Sequence, residues 1–129
     1  MKQIKEGNKT LNIVNDKDGT PTYTHDFALT VKELIKNEYW GLYNCVCGGQ
    51  TGRLEVANEL INILGLSNTV KINEVSSDFF KDTYYAERPA SERLQTKKLD
   101  LRDVNKMRDW KIALKEYIDN YYSDYLKNI

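Results

Sequence analysis

The chain lacks the features that mark several large classes of protein. Its 129 residues carry 19 basic and 19 acidic side chains, so there is no net charge and no long-range field that would attract nucleic acid. No apolar run approaches the roughly 20 residues that a membrane helix needs, and the first residues contain no apolar core of a secretory signal. Because the chain has only two cysteines, we expect a reducing, cytoplasmic location.

Ligands for a metal ion are also scarce. Cys45 and Cys47 lie two residues apart on a predicted strand, and only His25 could join them, which is too few for a four-coordinate zinc site. We therefore expect two buried free thiols and no metal site. For His25, which stands beside Asp26, a structural or solvent-exposed position is favoured over a general base. No residue is marked as catalytic.

The glycine-rich signature of a dinucleotide site is missing. Residues 48–52 lie between a predicted strand and a predicted helix, where backbone amides could hold an anion. The spacing Gly-x-Gly-x-x-Gly is absent, however, and a plain tight turn is favoured. None of the nine tyrosines is followed by a lysine four residues later. We therefore expect no nicotinamide cofactor site in this chain alone.

Hydrophobic periodicity predicts a single α/β domain over residues 1–129, with about three strands and three to four helices. Gly65 and Asp109 are expected to end one helix and to begin another, and Thr24 is expected to cap the helix that follows it. Strands are predicted at 11–15, 42–47 and 70–75, and helices from about 25, at 54–64, at about 96–104 and after 109.

Arg88 and Arg93 are the best candidates for ligand binding. Pro89 stiffens the chain beside Arg88, and a guanidinium held in this way suits a diphosphate, which it can bind through paired hydrogen bonds. The alternative is that these arginines pair with Glu87 or Glu92, or are simply solvated.

The last predicted helix carries an aromatic stripe that is most simply explained as core packing. The stripe consists of Trp110, Ala113, Leu114, Tyr117, Tyr121 and Tyr125. We expect partial exposure near the end of the chain, so this tyrosine-rich helix could also meet a partner subunit. The residues concerned are Tyr122, Tyr125 and Ile129.

A short motif after the first strand resembles one stretch of a known enzyme family. The pattern Asp-x-x-Gly-x-Pro-Thr-Tyr at 16–23 is similar to a motif of the dTDP-4-dehydrorhamnose reductases, nucleotide-sugar enzymes of the extended short-chain dehydrogenase/reductase group. Three further blocks follow in the same order as in that family, at 41–57, 88–99 and 107–110. Together the four blocks cover most of this chain and less than half of a family member.

The resemblance implies that the chain is the C-terminal, substrate-binding half of an enzyme that reduces a 4-keto sugar on a dTDP carrier with NADH or NADPH. A Rossmann half, N-terminal to it, would supply the cofactor site and the proton donor, so this chain alone would be inactive. The resemblance also places Arg88 near the nucleotide diphosphate, and we add Arg93 to the same site. The turn that contains Thr22 and Tyr23 would border the substrate cleft.

The chain departs from the family pattern at three positions. Gly52 stands where a Ser or Thr helix cap is common, and Arg108 replaces a proline. Glu92 places a carboxylate near the expected phosphate site, which would weaken the binding of substrate.

Two other interpretations remain open. The family fold suggests that residues 42–46 join the sheet of the missing half, and without it this strand would leave an edge open to a second copy. The chain could therefore be a non-catalytic module that forms a homodimer, or binds another protein, through that edge or through the tyrosine-rich helix. The remaining interpretation is an unrelated α/β domain with its own pocket.

Overall fold

Eight short elements make up the part of the chain that the computed structural model describes, residues 1–83, 86 and 88–123. They are α1 (Lys2–Lys5), β1 (Thr10–Val14), α2 (Thr24–Lys36), α3 (Arg53–Ile63), β2 (Lys71–Val75), a 3-10 turn (Ser77–Phe80), α4 (Lys97–Asp100) and α5 (Trp110–Tyr121). The predicted α/β class is confirmed, with five helices and a two-stranded sheet in this described part.

The sheet consists of β1 and β2, which run parallel and pair over all five residues of each strand. The two middle helices, α2 and α3, lie between the strands in the chain, as a parallel connection requires. On one face, Leu11 enters an apolar core. On the other face, Asn12 Oδ1 accepts a hydrogen bond from Asn73 Nδ2 at 2.8 Å. The buried residues of this first core are Ile4, Leu11, Ile61 and Val70.

The third strand, which we expected at 42–47, is not formed, so this part of the prediction was wrong for the described chain. A strand needs a neighbour with which to exchange hydrogen bonds, and here the Leu42 carbonyl instead accepts a bond from Lys98 Nζ at 3.0 Å. Directly after this segment, Gly48 forms a single parallel bridge with Asp109. The backbone of 42–47 therefore has no regular structure within this part of the protein.

Two of the three helix ends that the sequence predicted are found in the structure. Gly65 has a φ of +68°, and Asp109 Oδ1 accepts a hydrogen bond from the Lys111 N–H at 2.9 Å, so both expected helix ends are confirmed. The expectation that Thr24 caps α2 was wrong. Because Tyr23 is the last extended residue, it occupies the capping position, and Thr24 lies in the first turn.

Gly52 begins α3 without a side-chain cap because no side chain fits there. A Cβ added at this position would lie 2.9 Å from the Lys17 carbonyl oxygen. Glu55 compensates by accepting a hydrogen bond from the Gly52 N–H at 2.8 Å. The departure from a Ser or Thr cap therefore follows from the close approach of the turn after β1.

A second core forms around the start of α5. Its buried residues are Tyr23, Cys47, Met107, Trp110 and Ala113. This confirms core packing for the first turns of α5, but Tyr117 and Tyr121 are exposed and their ring centroids lie 5.6 Å apart. The aromatic stripe is therefore core only at its N-terminal end. Tyr125 and Ile129 lie outside the described residues.

Gly49 packs so closely against this core that we expect only glycine to be tolerated. Its φ is +89°, and an added Cβ would lie 2.7 Å from Trp110 Cδ1. Gly49→Ala should therefore lower the free energy of unfolding by about 3 kcal/mol in urea denaturation. Gly7→Ala is the matched control: its φ is +88° but nothing lies within 4 Å, so only a backbone strain of about 1 kcal/mol remains. Equal losses in both variants would contradict the role of the Trp110 contact.

Candidate functional site

The turn after β1 is the point where three segments of the chain meet. Asp18 forms isolated bridges both to the start of α3 and to the irregular segment 88–93. Its N–H donates to the Ala90 carbonyl at 2.8 Å, and its own carbonyl accepts from the Glu92 N–H at 2.9 Å. These bonds hold the turn against the segment that was predicted to bind a diphosphate.

Asp16, the first residue of the motif at 16–23, has a structural role. Its Oδ2 accepts hydrogen bonds from the N–H of Ser77 at 2.9 Å and from the Ser77 hydroxyl at 2.8 Å. These bonds favour the ionised form and lower the pKa of the Asp16 carboxyl. The carboxylate thereby ties the turn after β1 to the 3-10 turn after β2.

A cleft of about 450 Å³ opens beside Asp18. Its lining combines apolar side chains with charges of both signs. The apolar lining comes from Pro21, Val56, Ala57, Leu60 and Pro89, the cations are Lys17, Arg53 and Arg88, and the carboxylates are Asp18 and Glu92. Such a lining suits a ligand that has both an apolar part and an anionic part.

Arg88, the residue predicted to bind a diphosphate, lines this cleft. Its side chain is 67% exposed, and among the described residues its guanidinium forms a long ion pair, from Nη1 to Glu92 Oε1 at 3.8 Å. The Arg88 carbonyl accepts a hydrogen bond from Lys17 Nζ at 2.7 Å, which anchors the backbone rather than the side chain. The alternative of a pair with Glu92 is thus present in loose form, and Glu87 lies outside the described residues.

Arg93 does not line the cleft but contacts Asp18, which does. Its Nη2 donates to Asp18 Oδ2 at 2.8 Å, and its Nη1 donates to Gln50 Oε1 at 3.2 Å. The guanidinium therefore connects the segment 88–93 both to the turn after β1 and to the glycine turn before α3.

Thr22 and Tyr23 directly follow Pro21 in the chain but do not line the cleft. Thr22 is exposed, whereas Tyr23 is buried and its N–H donates to Cys47 Sγ at 3.4 Å. Tyr23 lines a different hollow, of about 510 Å³, together with Thr24, His25, Tyr117, Tyr121 and Tyr122. The structure therefore brings Arg88 and Arg93 to one site and turns Tyr23 toward another.

Two cations of the cleft, Lys17 and Arg53, were not predicted from the sequence. Arg53 directly follows the glycine turn, which was considered as an anion site. The two amides at the end of this turn bond within the protein: the Gly52 N–H donates to Glu55, and the Arg53 N–H donates to the Lys17 carbonyl at 3.3 Å. The preferred interpretation as a tight turn agrees with this geometry. The useful signal was the cationic side chain after the turn rather than the turn itself.

A buried ion pair lies beneath the tyrosine-lined hollow. Asp26, only 1% exposed, accepts hydrogen bonds from Arg108 Nη2 at 2.7 Å and from Arg108 Nε at 2.9 Å. Burial alone would raise the pKa of the Asp26 carboxyl, but the bonds from Arg108 outweigh it and the pKa lies below its usual value. Arg108 Nη1 also donates to Glu116 and lowers the pKa of that carboxyl.

The remaining sequence-based candidates, the two cysteines and His25, do not form a catalytic site among the described residues. Cys45 and Cys47 are free, and burial raises the pKa of both thiols, so neither is an activated nucleophile. The His25 side chain is half exposed, and its Nδ1 lies 3.5 Å from Asp26.

Within residues 1–83, 86 and 88–123, no group of three or more potential ligand side chains could hold a metal ion. In the same ranges, no helix has the length and apolar character needed to cross a membrane.

Comparison with known protein families gives a match over most of the chain. A model of the protein family described as RmlD substrate binding domain matches residues 1–123. The chain belongs to this family. The resemblance drawn from the four sequence blocks is thereby confirmed.

Solved structures of dTDP-4-dehydrorhamnose reductases share the fold of this RmlD substrate binding domain. The protein of Clostridium acetobutylicum ATCC 824 is 31% identical, with a TM-score of 0.84 over 92% of this chain and 41% of that one. Those of Yersinia enterocolitica and of Bacillus anthracis str. Ames, the latter in complex with NADP, are 24% and 22% identical, with TM-scores of 0.81 and 0.80. The match to the Yersinia protein spans 93% of this chain and 41% of that one. The match to the Bacillus protein spans 92% of this chain and 40% of that one.

A curated relative points to sugar metabolism. The spore coat polysaccharide biosynthesis protein SpsK of Bacillus subtilis (strain 168) is 27% identical over 118 residues, which are 92% of this chain and 40% of that protein. The chain thus spans about two fifths of the length of the relatives it matches, and it corresponds to the C-terminal part of the reductases.

The Asp26–Arg108 pair yields a prediction about stability. Arg108→Met should lower the free energy of unfolding by about 3 kcal/mol at pH 7, at the low end for a broken buried pair because Arg108 is about one-third exposed. Urea denaturation measures the loss. Glu116→Gln removes the outer partner of Arg108 but leaves Asp26 paired, so as the control it should cost much less.

The same pair gives a pH dependence with a definite sign. Because the folded-state pKa of Asp26 lies below its unfolded value, the stability it contributes is present above the unfolded pKa and is lost as pH falls through the folded one. In Arg108→Met the unpaired carboxyl is destabilising mainly when ionised. The difference between wild type and variant should therefore narrow as pH falls from 7 toward 3. A difference that stays constant over this range would show that Asp26 is not the group involved.

Proposed function

We propose that this RmlD substrate binding domain is the dTDP-sugar-binding part of a dTDP-4-dehydrorhamnose reductase-like oxidoreductase in nucleotide-sugar metabolism, and that it is not catalytic on its own. The observation that carries the proposal is the cleft beside Asp18, where three cations meet an apolar lining from α3. Such a combination matches a nucleoside diphosphate, which joins an apolar base to a strongly anionic group.

Arg88 is the residue that would bind the diphosphate. Its guanidinium is exposed at the cleft and has only a loose partner in Glu92, so its paired donors are available to phosphate oxygens. Lys17 and Arg53 line the same cleft and would add positive charge around the diphosphate. Glu92 opposes this, as the sequence predicted, because its carboxylate competes for Arg88.

The apolar wall would receive the base or the deoxyribose. Val56, Ala57 and Leu60 project from α3 into the cleft, and the two prolines add rigid apolar surface. Thr22, which is exposed and directly follows Pro21, would border the sugar end of the ligand. Tyr23 is buried and lines the other hollow, so it is left out of this site. Arg93 reaches the site through Asp18.

In this proposal, the described residues do not hold the nicotinamide cofactor by themselves. A dinucleotide site uses free amides of a glycine turn between strand and helix, but here the amides of Gly48, Gly52 and Arg53 already bond within the protein. In this proposal, the NADH or NADPH site and the proton donor belong to the part of the relatives that the chain does not span. The Bacillus anthracis reductase was solved in complex with NADP, and this chain covers 40% of that protein.

A titration with dTDP tests the proposal. Trp110 lies against Gly49, next to the cleft, so its fluorescence should change on binding. Arg88→Ala should weaken the binding of dTDP by about 10- to 100-fold, the loss expected for a charge-assisted hydrogen-bonding partner. Glu92→Gln should strengthen it severalfold, because a competing carboxylate is removed.

Arg102→Ala is the matched control for this titration. Arg102 stacks over the Tyr39 ring at 4.5 Å and does not line the cleft, so its loss should leave dTDP affinity unchanged. Tight binding that survives Arg88→Ala would show that the site is misassigned. Oxidation of NADPH by the isolated chain in the presence of a dTDP-4-keto sugar would overturn the proposal that it is inactive alone.

One surface of the domain favours the second candidate function, a dimerising module. Trp40, Leu42 and Leu101 are 73%, 85% and 78% exposed, and they surround the irregular segment 42–47. This segment lies against α4, since Lys98 Nζ sits 4.5 Å from the centroid of the Tyr43 ring. In a full reductase the rest of the enzyme would cover this surface, and in the isolated chain a second copy would do so.

Sedimentation equilibrium tests this assignment. The isolated chain should form a dimer that dissociates on dilution, and Leu42→Glu should return it to a monomer because a charge enters the apolar contact. Tyr121→Glu, on the exposed face of α5, is the matched change at the other candidate interface and should leave the dimer intact. The opposite pattern would assign the contact to the tyrosine-rich helix, and a wild-type monomer at all concentrations would exclude the dimer.

A further inference from the structure

The segment 88–93 is held across the turn after β1 by contacts that converge on Asp18. Both backbone groups of Asp18 bond to this segment, through Ala90 and Glu92. The Asp18 carboxylate accepts from Arg93 Nη2 at 2.8 Å. One residue, therefore, fixes both the backbone and a side chain of the segment.

The Arg93 guanidinium reaches three different partners. Besides Asp18, it donates to Gln50 Oε1 at 3.2 Å and, through Nε, to Ser91 Oγ at 3.5 Å. A planar fork that spans partners in separate segments has a fixed orientation, which a flexible ammonium would not provide. These partners occupy donors that a phosphate group would otherwise need.

We propose that Arg93 is a positioning residue: with Asp18 it clamps the segment 88–93 across the turn after β1, and so presents Arg88 to the cleft without contacting the ligand. The proposal rests on the proposed function of the cleft and reassigns Arg93 within it. Among the described residues, the Arg88 guanidinium has only a long ion pair with Glu92, at 3.8 Å. A segment ordered before binding costs less conformational entropy when the ligand arrives.

Amide hydrogen exchange on the full chain tests the clamp without any ligand. Asp18→Asn and Arg93→Gln should each speed exchange of the Asp18 and Glu92 amides by about three- to fivefold, the range that a partly exposed ion pair supports. The double variant Asp18→Arg with Arg93→Asp should restore protection, whereas the amides of β1 and β2 should not change in any variant. Unchanged exchange at both amides would overturn the clamp.

The dTDP titration then separates positioning from direct contact by combining two variants. If Arg93 positions Arg88, Arg93→Gln should weaken dTDP binding about threefold in the wild-type background and add no further loss in Arg88→Ala, because the guanidinium that it presents is then gone. If Arg93 bound the phosphate itself, the two losses would add. Additive losses would therefore overturn the reassignment.

The two proposals fail in different ways. No dTDP binding by wild-type protein, with the exchange pattern as expected, would overturn the nucleotide site and the role given to Arg88, while the clamp between Asp18 and Arg93 would stand as a feature of the fold. Binding that is weakened in Arg88→Ala but unaffected by Arg93→Gln would leave the proposed function intact and overturn the positioning role.

Discussion

The carboxylate of Asp26 is the group on which the second core depends. It is buried in the first turn of α2, where an unpaired charge would be strongly destabilising. Arg108 neutralises it with two side-chain bonds and also donates its backbone N–H to the same carboxylate at 3.3 Å. One turn later on α2, the buried Thr30 hydroxyl accepts from the Lys106 N–H at 3.2 Å. These polar contacts fix the path of the chain just before α5.

The same segment is connected to the cleft by a series of contacts that runs through the glycine turn before α3. The Arg108 carbonyl holds the glycine turn before α3, and the same turn packs against Trp110. At the other end of the turn, Gln50 meets Arg93, and Arg93 meets Asp18. The segment 88–93 is thus anchored to the second core through the glycine turn. This explains how a site built from turns and irregular segments can have a defined shape.

The family relationship accounts for what this fold leaves uncovered. The chain corresponds to the C-terminal part of enzymes that are more than twice as long. Its sheet has two strands in the described part, and a segment that its sequence marks as a strand finds no neighbour there. Large apolar side chains near that segment, Trp40, Leu42 and Leu101, are exposed in the same part of the protein. The family match describes a substrate binding domain, and the described fold corresponds to that part of the reductases.

Local chemistry in the sequence was enough to determine the α/β class, the ends of several helices and the family. Gly65 and Asp109 were predictable because a left-handed residue and a helix cap depend on a few neighbouring atoms. Arg88 was singled out by the proline beside it and by the order of the blocks; it lines the cleft, and its binding role stays a prediction. In each case, the interaction that decides the feature is short in sequence.

Only the tertiary structure decided the contacts that organise the site. Asp26 and Arg108 are 82 residues apart, and Asp18 and Arg93 are 75 residues apart, so no periodicity or motif announces either pair. For the same reason, the exclusion of a side-chain cap at Gly52 was not predictable, because the obstructing carbonyl belongs to a distant turn. Residues 42–47 had the composition of a strand but lacked a partner. Pairing between distant segments is a property of the folded chain, and local sequence does not encode which neighbour will be present.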